Sequence, residues 1–247
     1  MKIEVLTLFP EWVEQVTQHG MPRIAAERGQ LQLVARNLRD YSTNKWRKVD
    51  DRPYGGGPGM VMEAEPLANA IRDARASVGQ ARVVYLSPQG ERFDQRWAER
   101  LSQEPGLVLL CGRYEGLDER LIRSEVDIEL SLGDFVLSGG ELAAMVVVDA
   151  IARLLPGVLG HEGSAAADSF SSGLLDHPHY TRPEDWRGER VPEVLLGGDH
   201  AKVARWRLKQ ALGQTWLKRP DLLDSLELDT NLATLLREFI SEQRTLV

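Results

Sequence analysis

Two stretches of this chain carry residues able to hold a ligand: Cys111-Gly112-Arg113-Tyr114-Glu115-Gly116-Leu117-Asp118-Glu119-Arg120 and Leu132-Gly133-Asp134-Phe135-Val136-Leu137-Ser138-Gly139-Gly140-Glu141-Leu142. Each follows a short apolar run, Leu107 to Cys111 and Val126 to Leu132, and each leads into a helix-like segment. Glycine permits close approach and positive φ, so backbone N–H and C=O groups rather than side chains would hydrogen-bond a flat, polar heterocycle. Any one of these glycines, taken alone, is more often an ordinary strand-to-helix turn. Two such loops in succession, with charged residues kept among the glycines, point to a site.

Elimination narrows the ligand. Leu137-Ser138-Gly139-Gly140-Glu141 looks like the signature of ABC-type ATPases, but those proteins also need a G-x-x-x-x-G-K-[ST] phosphate loop, and the chain has none. No G-x-G-x-x-G follows a strand and no H-E-x-x-H occurs. A lone Cys111 excludes zinc ribbons and C-x-x-C redox chemistry, and reads as a small packed residue at a strand end in a reducing compartment.

The surrounding elements follow from periodicity. Ile3 to Phe9 alternates as a strand, Pro10-Glu11 opens a helix, and Leu31 to Leu38 is a second strand. Arg39 to Glu65 then loses any period, and segments of that length in compact domains are functional or disordered. Pro66 to Val78 is a helix with Leu67, Ala70, Ile71 and Ala74 on one stripe, and Val83 to Leu86 is a strand ended by Ser87-Pro88-Gln89-Gly90. Gln95 to Leu101 is helical, and Glu141 to Leu155 is an apolar helix stopped by Pro156-Gly157. Strands alternating with helices predict a parallel α/β sheet. His161 to Gly173 has the composition of a linker, which divides the chain into 1–160, a linker 161–173 and a helical C-terminal domain 174–247.

A hydrophobic content of 43% in 247 residues supports a real core and one or two domains, of which two is the choice here. The longest apolar run, Leu142 to Val148, is far short of the ~20 residues of a membrane span, and Glu4 and Pro10 spoil a signal peptide, so a cytoplasmic protein is expected. A net charge of −7 argues against indiscriminate coating of nucleic acid. Locally, Ala201 to Pro220 holds six basic residues and no acidic one, and Lys202, Arg205 and Lys209 fall at i, i+3 and i+7 of a helix. Ala204, Leu208, Ala211 and Leu212 would form its buried stripe. A short basic run is usually a solvated face; against so acidic a background it is read as an RNA backbone contact.

With Asp51-Arg52-Pro53-Tyr54-Gly55-Gly56-Gly57-Pro58-Gly59-Met60, Tyr85-Leu86-Ser87-Pro88-Gln89-Gly90, Asp168-Ser169-Phe170 and Pro178-His179-Tyr180-Thr181-Arg182-Pro183, the chain resembles the bacterial tRNA (guanine-N1)-methyltransferases, the TrmD family of the SPOUT class. The blocks run in the family's order from about Met1 to the helical C-terminus. The resemblance implies a deep trefoil knot over roughly 85–160, where sequence physics alone proposes an ordinary open sheet, since threading is rare. It implies S-adenosylmethionine as methyl donor and, as acceptor, the guanine N1 immediately 3′ to the anticodon of tRNA.

Residue by residue, the resemblance makes Asp168 the general base and Arg153 the cation beside guanine O6. Alone, Asp168 reads as an N-cap before Ser169-Phe170, and Arg153 as a charge favoured by a helix C-terminus. The cofactor pocket would comprise Tyr85, Leu86, Ser87 and Pro88; Gly112, Tyr114, Glu115 and Gly116; and Leu132, Gly133, Asp134, Phe135, Val136, Leu137, Ser138, Gly139 and Gly140. Leu132 and Phe135 stand where other members have Ile and Tyr, and His177 stands where some have Cys, so His177 is assigned no chemistry. Tyr54 to Met60 would shape the site against a partner subunit, because family members are homodimers with a composite active site. Magnesium is associated with the family's activity, with Glu115 as its neighbour, although no acidic cluster here has metal-loop spacing. Two other readings stand beside this one: a SPOUT enzyme with a different target atom, and a non-catalytic RNA-binding protein using the basic run with Trp206 and Trp216.

Overall fold

The computed structural model describes residues 1–159 and 168–245, with side chains to residue 243; most of the expected linker, residues 161–167, lies outside the described residues. The chain divides into two compact units, 1–162 and 163–247. No helix among the described residues is long and apolar enough to cross a membrane.

The first unit is built on a parallel sheet in the order β2-β1-β6-β5-β7. Its strands are β1 (Lys2–Thr7), β2 (Gln32–Asn37), β5 (Arg82–Arg92), β6 (Gly106–Cys111) and β7 (Ile128–Ser131). β6 is buried at every residue, as a central parallel strand covered on both faces must be. The period-2 alternation sorts side chains to two cores. Ile3, Val5, Leu107, Leu109 and Val84 face α1 (Pro10–Glu14), α2 (Gly20–Glu27), α4 (Gln95–Ser102) and α6 (Glu141–Ala152). Leu6, Val108, Leu110, Val83 and Tyr85 face α3 (Ala64–Val78) and α5 (Glu119–Glu125). Full burial of one such Leu or Ile is worth ~1.5–3 kcal/mol, so this double core holds the sheet rigid beneath the loops.

Two segments depart from the sequence reading. β5 does not stop at Leu86: it pairs with β7 through Leu86↔Leu130, loops out over residues 87–90, and resumes with Glu91↔Leu130. Gly90 is required there, because a Cβ would lie 2.4 Å from Leu130 N. The aperiodic stretch 39–65 holds a small antiparallel pair, β3 (Asp50–Asp51) with β4 (Val61–Met62). Its end is tied to the first glycine loop: Glu115 N donates to Met60 O at 2.9 Å, Met62 N to Gly116 O at 2.9 Å and Asp118 N to Met62 O at 3.1 Å.

In the second unit the helices begin late. Residues 174–199 hold turns and a hairpin of β8 (Asp185–Trp186) with β9 (Glu189–Arg190), which the sequence reading missed. α7 (His200–Lys218), α8 (Pro220–Asp224) and α9 (Thr230–Thr245) follow. Leu174, Leu212 and Leu235 form their core, and Gly213 lets Phe239 close on α7, since a Cβ there would sit 2.4 Å from the ring.

Candidate functional site

In an open α/β sheet the loops at the carboxyl ends of the strands form the crevice. Here the loops after β6 and β7 and the 87–90 excursion of β5 meet at that edge and enclose a cavity of about 330 Å3. Its walls are Tyr85 to Gln89, Gly112 to Leu117, and Leu130 to Gly133 with Phe135 to Gly140, closed by Glu119, Ile122 and Ala143. Every residue expected from the sequence to face the cofactor lines it except Asp134. That residue is exposed at the apex of a tight turn in which Phe135 N donates to Gly133 O at 2.9 Å, so its side chain points outward. Gln89, Arg113, Leu117, Glu119, Ile122, Leu130, Ser131 and Ala143 also line the cavity and were not expected.

Arg113 is the most consequential of these, and nothing in the sequence sets it apart from any other charge in a turn. It fastens the two glycine loops together. Its Nε and Nη2 donate to Glu141 Oε2 at 3.0 and 2.9 Å, and its Nη1 donates to Ser138 O at 3.1 Å. Glu141 is fully buried and also accepts from Thr7 Oγ1 at 2.8 Å. A buried carboxylate held by a guanidinium and a hydroxyl is satisfied; truncating one partner would leave the rest as an uncompensated charge. Phe9 flanks the Arg113 guanidinium at 4.6 Å.

Backbone contact completes the union. Gly140 N donates to Gly112 O at 3.0 Å, and a Cβ on Gly140 would meet Cys111 Cα at 2.8 Å. Gly112 is similarly constrained, with a Cβ 2.9 Å from the Tyr85 ring. These two glycines therefore serve loop-to-loop approach, which in turn shapes the cavity. Tyr114 takes a left-handed φ of 60°, unusual outside glycine. Burial pushes the Tyr85 phenol up, opposed by the Ser87 hydroxyl. Burial, and then the Glu119 charge, likewise pushes Glu129 up. The Cys111 thiol is raised well above its usual value by complete burial, so it is a packing residue and no nucleophile.

The other expected residues stand elsewhere. Arg153 caps the carboxyl end of α6, half-buried. The cavity meets the amino end of that helix, so about 18 Å of helical rise separates Arg153 from Glu141. Asp168 is half-buried in a turn in which Ser171 N bonds Asp168 O at 3.3 Å, within the second unit. On α7, Arg205 pairs with Glu238 at 2.7 Å and Lys209 with Glu242 at 2.6 Å, both acids on α9, while Lys202 pairs with Asp199 at 3.3 Å. Lys209 is only 13% exposed in its side chain. The expected basic face thus partly serves to hold α9. Arg207 and Lys218, by contrast, are exposed and have no ion-pair partner among the described residues.

A parallel α/β sheet with a cavity among the loops at its carboxyl edge defines the class as an α/β protein with a candidate small-ligand site. Comparison makes this specific. The family model described as tRNA (Guanine-1)-methyltransferase TrmD matches residues 1–225. A tRNA (guanine-N(1)-)-methyltransferase of Halorhodospira halophila is 61% identical over 98% of this chain and 92% of its own length. Proteins of the same name from Chromobacterium violaceum and Sodalis glossinidius are 56% and 54% identical, covering 98% and 99% of this chain and 97% and 98% of theirs. The chain belongs to the TrmD family of tRNA (guanine-1)-methyltransferases. It is therefore an enzyme, and the non-catalytic RNA-binding reading falls.

Proposed function

We propose that the protein transfers a methyl group from S-adenosylmethionine to N1 of the guanosine immediately 3′ to the anticodon in tRNA. The observation that carries this is the cavity of about 330 Å3 among the glycine-bearing loops of a chain that matches the family over residues 1–225. That volume is at the small end of the range for ligand sites and suits a nucleoside-sized molecule. Gly112, Gly116, Gly133, Gly139 and Gly140 line it, and loops so rich in glycine let a flat heterocycle approach the chain closely.

S-adenosylmethionine, when bound, supplies an electrophilic methyl on a sulfonium. Neutral guanine carries a proton on N1, and the lone pair there is released only as that proton leaves. Asp168 would take it as N1 bonds the methyl carbon and the carbon–sulfur bond breaks, leaving a neutral thioether and a protonated carboxyl. Arg153 would donate to guanine O6, where negative charge collects. Glu115 and Glu119 both line the cavity, and magnesium commonly takes one or two carboxylates from protein, so the residues fit a bound magnesium that would offset charge near the base.

We further infer a homodimer with a composite site. Arg153 lies at the end of α6 remote from its own chain's cavity, which favours completion by a second copy. Leu142 and Val146, four apart on α6, are 43% and 47% exposed, an apolar strip that a second copy would cover. A trefoil knot is supported by the path after β7: the chain leaves the sheet edge and returns to the middle, where Arg113 bridges Gly139. Residues 163–247 would hold the tRNA, with Arg207 and Lys218 the readiest phosphate contacts; Lys202, Arg205 and Lys209 would first have to leave Asp199, Glu238 and Glu242. A cytoplasmic location accords with such a substrate.

The test is calorimetry with S-adenosylmethionine. One site per chain, lost on blocking the cavity with Gly133→Val in a folded variant, is expected; a wild-type protein that gives no heat would overturn the reading.

A further inference from the structure

The chemistry above leaves Asp176, His177 and His179 unused. In the second unit, potential ligand atoms of these three side chains all lie within 4.8 Å of one another. Asp176 Oδ2 is 2.9 Å from His179 Nε2, and Asp176 Oδ1 is 3.7 Å from His177 Nε2. One histidine would satisfy a simple aspartate–histidine hydrogen bond. Here a second imidazole is turned to the same carboxylate, with ring centroids only 4.4 Å apart.

We propose that Asp176, His177 and His179 form a binding site for a zinc-class divalent transition metal. In a tetrahedral complex with metal–ligand bonds of about 2.0–2.1 Å, neighbouring ligand atoms sit about 3.3 Å apart. The two aspartate–histidine distances, 2.9 and 3.7 Å to different oxygens, lie near that value, and one ligand atom from each residue falls within 4.8 Å of the other two, so the set has to draw in by no more than about 1.5 Å. His177 Nδ1 lies 3.1 Å from Pro178 O. That carbonyl can only accept, so Nδ1 is the donor in this contact and Nε2 is the nitrogen turned to Asp176, the ring orientation that metal-binding histidines use. The carboxylate is itself oriented, Oδ1 accepting from His177 N at 2.7 Å. Asp176 N donates to Ser169 Oγ at 2.9 Å, which links the site to the turn that follows Asp168. His179 is 70% exposed, leaving the fourth position to water and the site open to solvent. Two imidazoles with one carboxylate select zinc, cobalt or nickel over magnesium, which prefers oxygen throughout.

The test uses untagged, chelator-treated full-length protein titrated with Zn2+ and, for a spectroscopic signature, with Co2+. One equivalent should bind with the visible bands of low-coordinate cobalt, undisturbed by excess Mg2+. His177→Gln and His179→Gln should each weaken binding by more than the roughly 10- to 100-fold typical of losing an outer-shell partner. The His19→Gln/His200→Gln variant should bind as wild type. Circular dichroism and Tm on every variant separate ligand loss from misfolding, and Asp176→Asn provides a third independent ligand change. Stoichiometric binding that survives in folded His177→Gln and His179→Gln proteins, or no binding by the wild type, would overturn the site.

Discussion

The two units present their candidate ligand-facing residues in opposite ways. In residues 1–162 the cavity is walled by glycine-bearing loops, fixed by short contacts such as Gly140 N to Gly112 O at 3.0 Å and by the buried Arg113–Glu141 pair. In residues 163–247 the corresponding surface is made of long side chains on α7, and acids 33 residues away in sequence reach two of them. Close approach of one loop to another demands glycine at fixed places, so it leaves a mark in the sequence. A charged face leaves only a run of lysines and arginines, and a neighbouring helix can neutralise it without altering that run.

Chemistry that depends on one carboxylate should give the largest effect. Asp168→Asn removes the proposed base while leaving the cavity residues untouched, so single-turnover methyl transfer should fall by roughly 10²- to 10⁴-fold with cofactor affinity nearly constant. A rate within about threefold of wild type would remove Asp168 from the mechanism.

Next comes the backbone union. Gly140→Val places a branched side chain against Cys111 Cα, where even a Cβ lies at 2.8 Å. Overpacking of this kind costs about 1–3 kcal/mol. We expect a Tm lower by several degrees together with weaker S-adenosylmethionine binding, because the two loops part. Unchanged affinity with a lowered Tm would show that the union serves the fold alone.

On α7 the prediction separates paired from unpaired cations. Arg207→Gln with Lys218→Gln should flatten the dependence of log K for tRNA on log salt by up to about 1.4–1.8, at roughly 0.7–0.9 per lost phosphate contact. Lys202→Gln, Arg205→Gln and Lys209→Gln together should flatten it less per residue and should also lower Tm, since the pairs to Glu238 and Glu242 are lost. Exposed pairs are worth only about 0.2–1 kcal/mol each, so that shift is modest. A triple variant with the larger loss of slope would return the RNA contact to the paired face.

The smallest effect is local. Asp118 caps α5 through Arg120 N at 2.9 Å, and hydrogen bonds from the Arg120 side chain hold its carboxyl down at about 2. A lowered folded-state value means that the contribution is present above the unfolded carboxylate range and fades as pH falls from about 4 toward 2. NMR titration of this carboxyl should show that displacement, and Arg120→Ala should shrink it while leaving the part due to the Arg120 backbone N–H.

Much of the first unit was legible because burial and periodicity agree: β6 is apolar at every residue and α3 carries its stripe at Leu67, Ala70, Ile71 and Ala74. The cavity was legible through its glycines. What was not legible depends on contacts distant in sequence or on one residue's orientation. Asp134 sits inside a motif yet faces away, Arg113 looked like any charge in a turn, and the tie from Met60 and Met62 to the 115–118 loop joins segments with no common pattern. The β8–β9 hairpin was hidden because Arg187 takes a positive φ of 58° at a place where Asn or Gly would have announced the turn. The second imidazole at Asp176 was visible as letters, but its direction was not.

The most direct test of the central claim is to incubate the protein with S-adenosylmethionine and tRNA transcripts and to map the modified atom by mass spectrometry and reverse transcription. The account predicts a single 1-methylguanosine immediately 3′ to the anticodon, absent when that guanosine is replaced by adenosine. A methyl group on a ribose oxygen, on another base atom or at another position in the tRNA would contradict it.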